Sequence, residues 1–243
     1  MARFHIEPAD WIQMRLRGDE AHHCTRVLRL RPGALIRVFD GQGREAKARI
    51  VAEQGREVVL ECVEAKQTAA PYCRITLAQG VPKGKTMDWI LEKATELGVN
   101  RVVPLLTRHT VVQCEDGERK RQKWQRVVLE ACKQCGQNWM PEVAMPCTLE
   151  VFLRDQRPGT MLVAGSLGPT ARPLLEALER VPEELVLLVG PEGDFSPEEM
   201  DLLRGAGCLE ASFGPLVLRS ETAAIFGLSV LGAVAQRASG LHP

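Results

Sequence analysis

The last third of the chain twice repeats one arrangement: an apolar strand-like run, a glycine-bearing loop and a polar helix start. ELVLLV leads into Gly190-Pro191-Glu192-Gly193-Asp194-Phe195 and then Ser196-Pro197-Glu198-Glu199. That last tetrapeptide reads as a capping box with proline at the first helical position. LEASF leads into Gly214-Pro215-Leu216-Val217-Leu218, and Arg219-Ser220-Glu221-Thr222 opens the small-residue helix AAIFGLSVLGAVA. Runs this continuously apolar suit strands buried on both faces, as in parallel sheets with helical crossovers. The C-terminal part is therefore read as α/β, and both loops fall where open α/β sheets hold ligands, beyond the carboxyl ends of the strands. A helix so rich in alanine and glycine should pack closely on both sides, in a core or at a subunit interface.

The front of the chain has a different rhythm. LIRVFDG, EAKARIVAE and EVVLECVEAK alternate apolar and polar residues and are separated by Gly41-Gln42-Gly43 and Gln54-Gly55, the pattern of a small β-meander or barrel. Gln67-Thr68-Ala69-Ala70-Pro71 has no periodicity, which places a boundary near residue 70. Beyond it ITLAQGV, NRVVPLL and MLVAGSL add strands. Between them lie a helix capped at Thr86 and ending at Gly98, with Met87, Ile90, Leu91, Ala94 and Leu97 on one face, and a basic helix ending at Gly136.

Several function classes fall away. The longest apolar run, 223–235, contains two glycines and a serine and is shorter than the roughly 18 residues of a membrane span. The start MARFHIEPADW shows no apolar leader core, so the eight cysteines, at 24, 62, 73, 114, 132, 135, 147 and 208, are expected to be reduced cytoplasmic thiols. Gly80-Val81-Pro82-Lys83-Gly84-Lys85-Thr86 mimics a phosphate loop but has three residues between its glycines, where the nucleotide-binding pattern needs four. Its Lys83 and Lys85 are read as a basic turn for RNA phosphates. Cys132 and Cys135 lack a second ligand pair at zinc spacing, so no metal is expected.

Charge is uneven along the chain. Residues 1–70 carry 12 basic and 10 acidic side chains, 71–140 carry 12 and 7, and 141–243 carry 7 and 14. A polyanion docked on the front two-thirds accounts for this, and so does complementarity between subunits. Arg26, Arg29, Arg31 and Arg37 accompany His22 and His23 in the first part, while Arg119, Lys120, Arg121, Lys123 and Arg126 surround Trp124. The second group reads most simply as the solvated face of an amphipathic helix, with RNA contact the alternative.

Across nearly its whole length the sequence resembles the 16S ribosomal RNA (uracil-N3)-methyltransferases, the RsmE type of the SPOUT class. The resemblance is carried by His23 with Val27-Leu28-Arg29 and Gly33, by Lys93-Ala94-Thr95-Glu96-Leu97-Gly98-Val99, and by Arg108. It continues through Glu130-Ala131-Cys132 with Gln134, Pro141-Glu142, Gly190-Pro191-Glu192-Gly193 and Leu218-Arg219-Ser220-Glu221-Thr222. Asp194 stands where that family usually has glycine, Ser220 where it has threonine, keeping the hydroxyl, and Gln137 where an arginine is common.

The resemblance implies a PUA-like RNA-binding β-barrel over 1–70 and a SPOUT-type domain with a trefoil-knotted parallel sheet over 71–243. S-adenosylmethionine would sit between the loops at Ala164-Gly165, Gly190, Glu192 and Gly193, and Phe213, Gly214, Leu216 and Leu218. RNA contacts would come from His23, Arg26, Arg29, Lys83, Lys85 and Arg108, and catalysis from Arg219 with Glu221. The substrate implied is a uridine of 16S rRNA in the small ribosomal subunit, and the assembly a cytoplasmic homodimer. Two other readings stand beside it: a knotted methyltransferase of another RNA, and an RNA-binding ribosome-assembly protein with an idle knot.

Overall fold

The computed structural model describes residues 1–110, 116–178 and 181–239. Cys114 lies outside them, and the other seven cysteines are free thiols. The chain divides into two compact units: Met1–Ala70 with Leu129–Met140, and Pro71–Val128 with Pro141–Pro243.

The first unit is built on a five-stranded sheet in the order β1-β3-β4-β5-β2. Its strands are β1 (Arg3–His5), β2 (Arg15–Leu16), β3 (Leu35–Phe39), β4 (Arg44–Gln54) and β5 (Glu57–Gln67). The three strands legible in the sequence form the antiparallel meander β3-β4-β5, while β1 joins it parallel to β3. Alternation along these strands sends Ile36, Val38, Ala46, Ala48, Ile50, Val58 and Leu60 inward onto Phe4, Leu16 and Cys24. The β3–β4 turn closes on a buried aspartate: Asp40 Oδ1 accepts from the backbone N–H of Gln42 at 2.8 Å and of Arg44 at 3.0 Å. Helix α1 (Gly18–His22) runs directly into a π-helical turn, His23–Val27.

Arg3 binds the late segment Leu129–Met140 into this unit. Its guanidinium is nearly sealed from solvent, stacks over Phe39 at 4.2 Å, and donates to Cys132 O at 3.0 Å, Gln137 O at 3.1 Å and the Asn138 side chain. Asn138 in turn donates to Thr68 Oγ1 at 2.8 Å, and Trp139 Nε1 to Ala69 O at 3.0 Å. Gln137, the departure from arginine, has its Oε1 within 3.2 Å of the Trp139 N–H. Cys132 is buried among these groups, which pushes its thiol up to about 12, and Cys135 is exposed. Both are thus thiols of a helix end, and the described residues contain no group of histidine, cysteine and carboxylate side chains suited to a metal.

The second unit is α/β, as the apolar runs imply. Its sheet is wholly parallel: β11 (Arg172–Pro173), β13 (Leu209–Ser212), β10 (Met161–Gly165), β12 (Glu184–Val189), β6 (Arg74–Gly80), β7 (Arg101–Leu106) and β8 (Glu142–Val143), with β9 (Cys147–Thr148) also on β7. Helix α2 (Thr86–Glu96) buries Met87, Ile90, Leu91 and Ala94. Thr86 is its first residue and not its cap; Lys85 precedes the helix and makes no side-chain capping bond. Helices α3 (Gly117–Cys135), α4 (Leu149–Arg154) and α5 (Leu174–Ala177) follow, then α6 (Pro197–Gly205) and α7 (Ser220–Ser239). The capping box at α6 forms as its sequence indicates: Ser196 N–H donates to Glu199 Oε2 at 2.8 Å and Glu199 N–H to Ser196 Oγ. One face of α7 buries Ala224, Gly227, Leu228 and Leu231, while Phe226 on another face is 41% exposed. No described helix is long and apolar enough to cross a membrane.

Replacing Arg3 with methionine keeps most of the stem but removes the guanidinium donor from the Gln137 carbonyl and the Asn138 side chain and leaves the Cys132 carbonyl only the Gly136 N–H. Arg3→Met is expected to cost about 3 kcal/mol in urea unfolding followed by tryptophan fluorescence. A loss below about 0.5 kcal/mol would mean that the segment is held by its other contacts.

Candidate functional site

The carboxyl ends of β10, β12 and β13 open onto a cavity of about 520 Å3, a size suited to a cofactor-scale ligand. Its wall contains Gly165 at the end of β10 and Ser166 after it, Gly190, Pro191, Glu192 and Asp194 after β12, and Phe213 with 216–221 before and within the start of α7. Two strand-loop-helix turns thus line one cavity together with a third loop, as neighbouring carboxyl ends in a parallel sheet allow.

One buried junction ties these loops together. Gln79, wholly buried at the end of β6, donates through Nε2 to Gly80 O at 2.9 Å and to Ser220 Oγ at 2.8 Å. Ser220 Oγ donates onward to Gly190 O at 2.6 Å. Gln79 Oε1 is buried without a partner among the described residues. Close approach requires glycine here: a Cβ at Gly80 would lie 2.5 Å from Pro191 Cδ, and one at Gly190 would lie 2.8 Å from Asp194 Cα. Asp194 itself adopts a left-handed conformation, φ 57°, which aspartate tolerates better than most side chains.

The outer side of the 190–196 loop is fastened to two other strand-end loops. Glu192 accepts from Lys83 N–H at 3.0 Å, and His109 Nδ1 lies 2.9 Å from Asp194 O. Glu199, buried, accepts from Arg108 N–H at 2.9 Å as well as from Ser196.

Of the residues singled out as a cofactor site, Gly165, Gly190, Glu192, Phe213, Gly214, Leu216 and Leu218 line the cavity. Ala164 does not: its methyl group is fully buried in the core against residues such as Leu162 and Val186. Gly193 does not either, since it faces outward against His109. Arg219 and Glu221 both line the cavity and make no ion pair with each other among the described residues; two residues apart on a helix entry, they do not face one another. Two further residues bear on the site: Gln79, behind the loops, and Asp194, notable in the sequence only as a departure from glycine. A glutamine in the apolar run ITLAQG was the available signal for the first.

The residues singled out for RNA are divided between the units. In the first, His23 packs edge-on against Phe4 at 5.8 Å, Arg26 lies 3.3 Å from Glu53, and Arg29 is exposed with φ 52°. In the second, Lys83 and Lys85 are exposed on the turn before α2, and Arg108 lies 3.5 Å from Glu198.

A parallel-sheet unit with a cavity at its strand ends, joined in one chain to a small β-sheet unit, defines the class: residues 68–232 match the RNA methyltransferase domain family and residues 16–62 the RNA methyltransferase PUA domain family. The chain belongs to the ribosomal RNA small subunit methyltransferase E family. It is 33% identical to the Aquifex aeolicus member over 89% of this chain and 92% of that protein. It is 32% identical to the Synechocystis member over 88% and 71%. A Legionella pneumophila methyltransferase solved with bound SAM is similar at 32% identity, a TM-score of 0.86, and coverage of 96% and 97% of the two chains. The Neisseria gonorrhoeae family member bound to S-adenosyl methionine is similar at 26% identity, with the same TM-score and coverage.

Ser220→Ala leaves the buried Gly190 carbonyl and the Gln79 N–H with only their long mutual bond of 3.5 Å, and is expected to lower stability by about 2 kcal/mol in denaturant unfolding. Ser220→Thr keeps the hydroxyl and should stay within about 1 kcal/mol of the unaltered chain. Equal losses in the two variants would remove the hydroxyl from the account.

Proposed function

We propose that the chain transfers a methyl group from S-adenosylmethionine to N3 of a uridine in 16S rRNA of the small ribosomal subunit. The observation that carries this reading is the cavity at the strand ends, walled by Gly165, Gly190 and Gly214 and bordered by Arg219 and Glu221, in a chain of this family. The fit to the cofactor rests on two features: the volume suffices, and the lining sets apolar Val189, Phe213, Leu216 and Leu218 beside a few polar side chains. Knot formation by the α7 segment, which packs on β6 and β12, and a cytoplasmic setting belong to the same reading.

When bound, the cofactor supplies an electrophilic methyl group, so the chain's own task is to orient the uracil and remove the N3 proton. Holding two reactants in line is worth up to about 7–11 kcal/mol of barrier in ideal cases. Negative charge gathers on the uracil carbonyl oxygens as the proton leaves. Arg219, exposed on the cavity rim, is assigned to stabilise that charge, and Glu221 is assigned the proton. The division into units follows: Met1–Ala70 with Leu129–Met140 grips RNA through Arg26 and Arg29, and the second unit adds Lys83, Lys85 and Arg108. Exposed Leu216 and Val217, 72% and 79% accessible, and Phe226 on α7 support a homodimer in which this apolar edge is covered by a second copy.

Arg219→Ala should reduce the single-turnover rate on small ribosomal subunits by roughly 100-fold at saturating ligands, with cofactor affinity kept. Arg219→Lys should also be impaired, because the planar fork is lost. A normal rate in either variant would remove Arg219 from the chemistry. The methylated position is read by mass mapping of the product RNA, and a site other than uridine N3 would redirect the proposal.

Arg26→Ala combined with Arg29→Ala should weaken RNA binding and flatten its dependence on log salt by about 1 to 2 units of slope. Cofactor affinity should not change. An unaltered slope would move the RNA grip to other cations.

A further inference from the structure

The cavity carries a charge pattern that its assignment as a methyl-donor site leaves unused. Its charged lining side chains are Glu192, Asp194, Arg219 and Glu221, three carboxylates against one guanidinium. Glu192 is engaged with the Lys83 N–H. Asp194 is different, because it is half-buried and packs directly over Gly190, with Oδ1 only 2.6 Å from where a Cβ would stand. Its Oδ1 also accepts from Phe195 N–H at 2.8 Å, which pins the carboxylate in the cavity wall. Burial pushes the Asp194 carboxyl up despite that bond and the nearby His109. The charge therefore sits in a place where solvent does not fully compensate it, and a cation in the cavity would.

The two forms of the cofactor differ in this property. S-adenosylmethionine carries a sulfonium, an ammonium and a carboxylate, hence one net positive charge. On transfer the electron pair of the S–CH3 bond stays on sulfur, the methyl group bonds to the uracil nitrogen, and the nitrogen's proton departs. The remaining thioether, S-adenosylhomocysteine, is net neutral. We propose that the Asp194 carboxylate selects by charge, holding the cationic donor and releasing the neutral thioether product. This rests on the reading of the cavity as the methyl-donor site. Coulombic attraction in a partly desolvated cavity acts on the sulfonium and has no counterpart in the product. The carboxylate's effect is thus a difference between two ligands and not a general gain in affinity.

The test is calorimetric titration of the full chain and of Asp194→Asn and Asp194→Gly with three ligands. These are S-adenosylmethionine, S-adenosylhomocysteine and sinefungin, which keeps a positive charge where the sulfonium stands. Glycine takes the left-handed backbone at position 194 without strain, so that variant reports on charge even if the asparagine variant folds poorly. Both substitutions should weaken the two cationic ligands by about tenfold and leave S-adenosylhomocysteine within about twofold. Equal weakening of all three ligands would assign Asp194 to a group they share, or to the shape of the loop, and overturn the proposal, as would no weakening at all. If the unaltered chain binds none of the three, the cavity is not a methyl-donor site and both readings fall together.

Discussion

Everything at the strand ends of the second unit depends on the buried bonds among Gln79, Ser220 and Gly190. They join the end of β6, the start of α7 and the loop after β12, three points far apart in sequence. Each neutral hydrogen bond adds only about 1 kcal/mol net, but an unmade one in a sealed site costs roughly 1–3 kcal/mol. The junction is therefore worth more than its small energy suggests, because loss of the Ser220 hydroxyl leaves a buried carbonyl and a buried N–H only a long bond of 3.5 Å to each other. Gln79 is the exception within it, retaining a carbonyl oxygen with no described partner.

Local sequence chemistry gave direct access to the elements whose pattern is complete within one segment. The capping box at Ser196, the alternation of β3 to β5 and the apolar runs of β10 and β12 each depend on neighbours a few residues away. The late segment Leu129–Met140 could not be placed in that way. Its bond from Arg3 spans 129 residues, and nothing in the spacing of the basic helix announces that its end is gripped by a buried arginine from β1. The cavity was legible as two loops facing the same way, whereas the buried residues at the neighbouring strand ends were not. Gln79 reads as an ordinary polar residue in a strand until its burial is known, and Ala164 reads as a loop residue although its methyl group belongs to the core. Asp194 was visible as a departure, but its presence in the cavity wall required the turn that folds it back over Gly190.

Charge shows the same limit. The sequence presents Arg26 and Arg108 as simple cations, and the structure sets Glu53 and Glu198 beside them. Exposed pairs of this kind are worth at most about 1 kcal/mol, so a phosphate can displace the carboxylate at little cost. What the pairs alter is direction, because each holds a guanidinium on one side of its loop before any polyanion arrives. His23 has a packing partner as well: its ring lies edge-on against Phe4, which makes it part of the first unit's packing.

The loop from Gly190 to Ser196 unites these strands of argument. Its inner side supplies Gly190, Pro191, Glu192 and Asp194 to the cavity, and its outer side holds the turn of Lys83 through Glu192. Glu199, one helical turn on, holds the backbone of Arg108 and the loop's own Ser196. A single rigid segment therefore sets the shape of the cavity wall and the position of both neighbouring basic loops. Any shift of the loop inward must move the backbone N–H groups of Lys83 and Arg108 or break their bonds to the exposed Glu192 and the buried Glu199. By the reciprocity of linked equilibria, a ligand that favours one arrangement of this segment favours the same arrangement for whatever the basic loops hold. The close packing that demands glycine at 80 and 190 is what makes the segment stiff enough to carry that linkage.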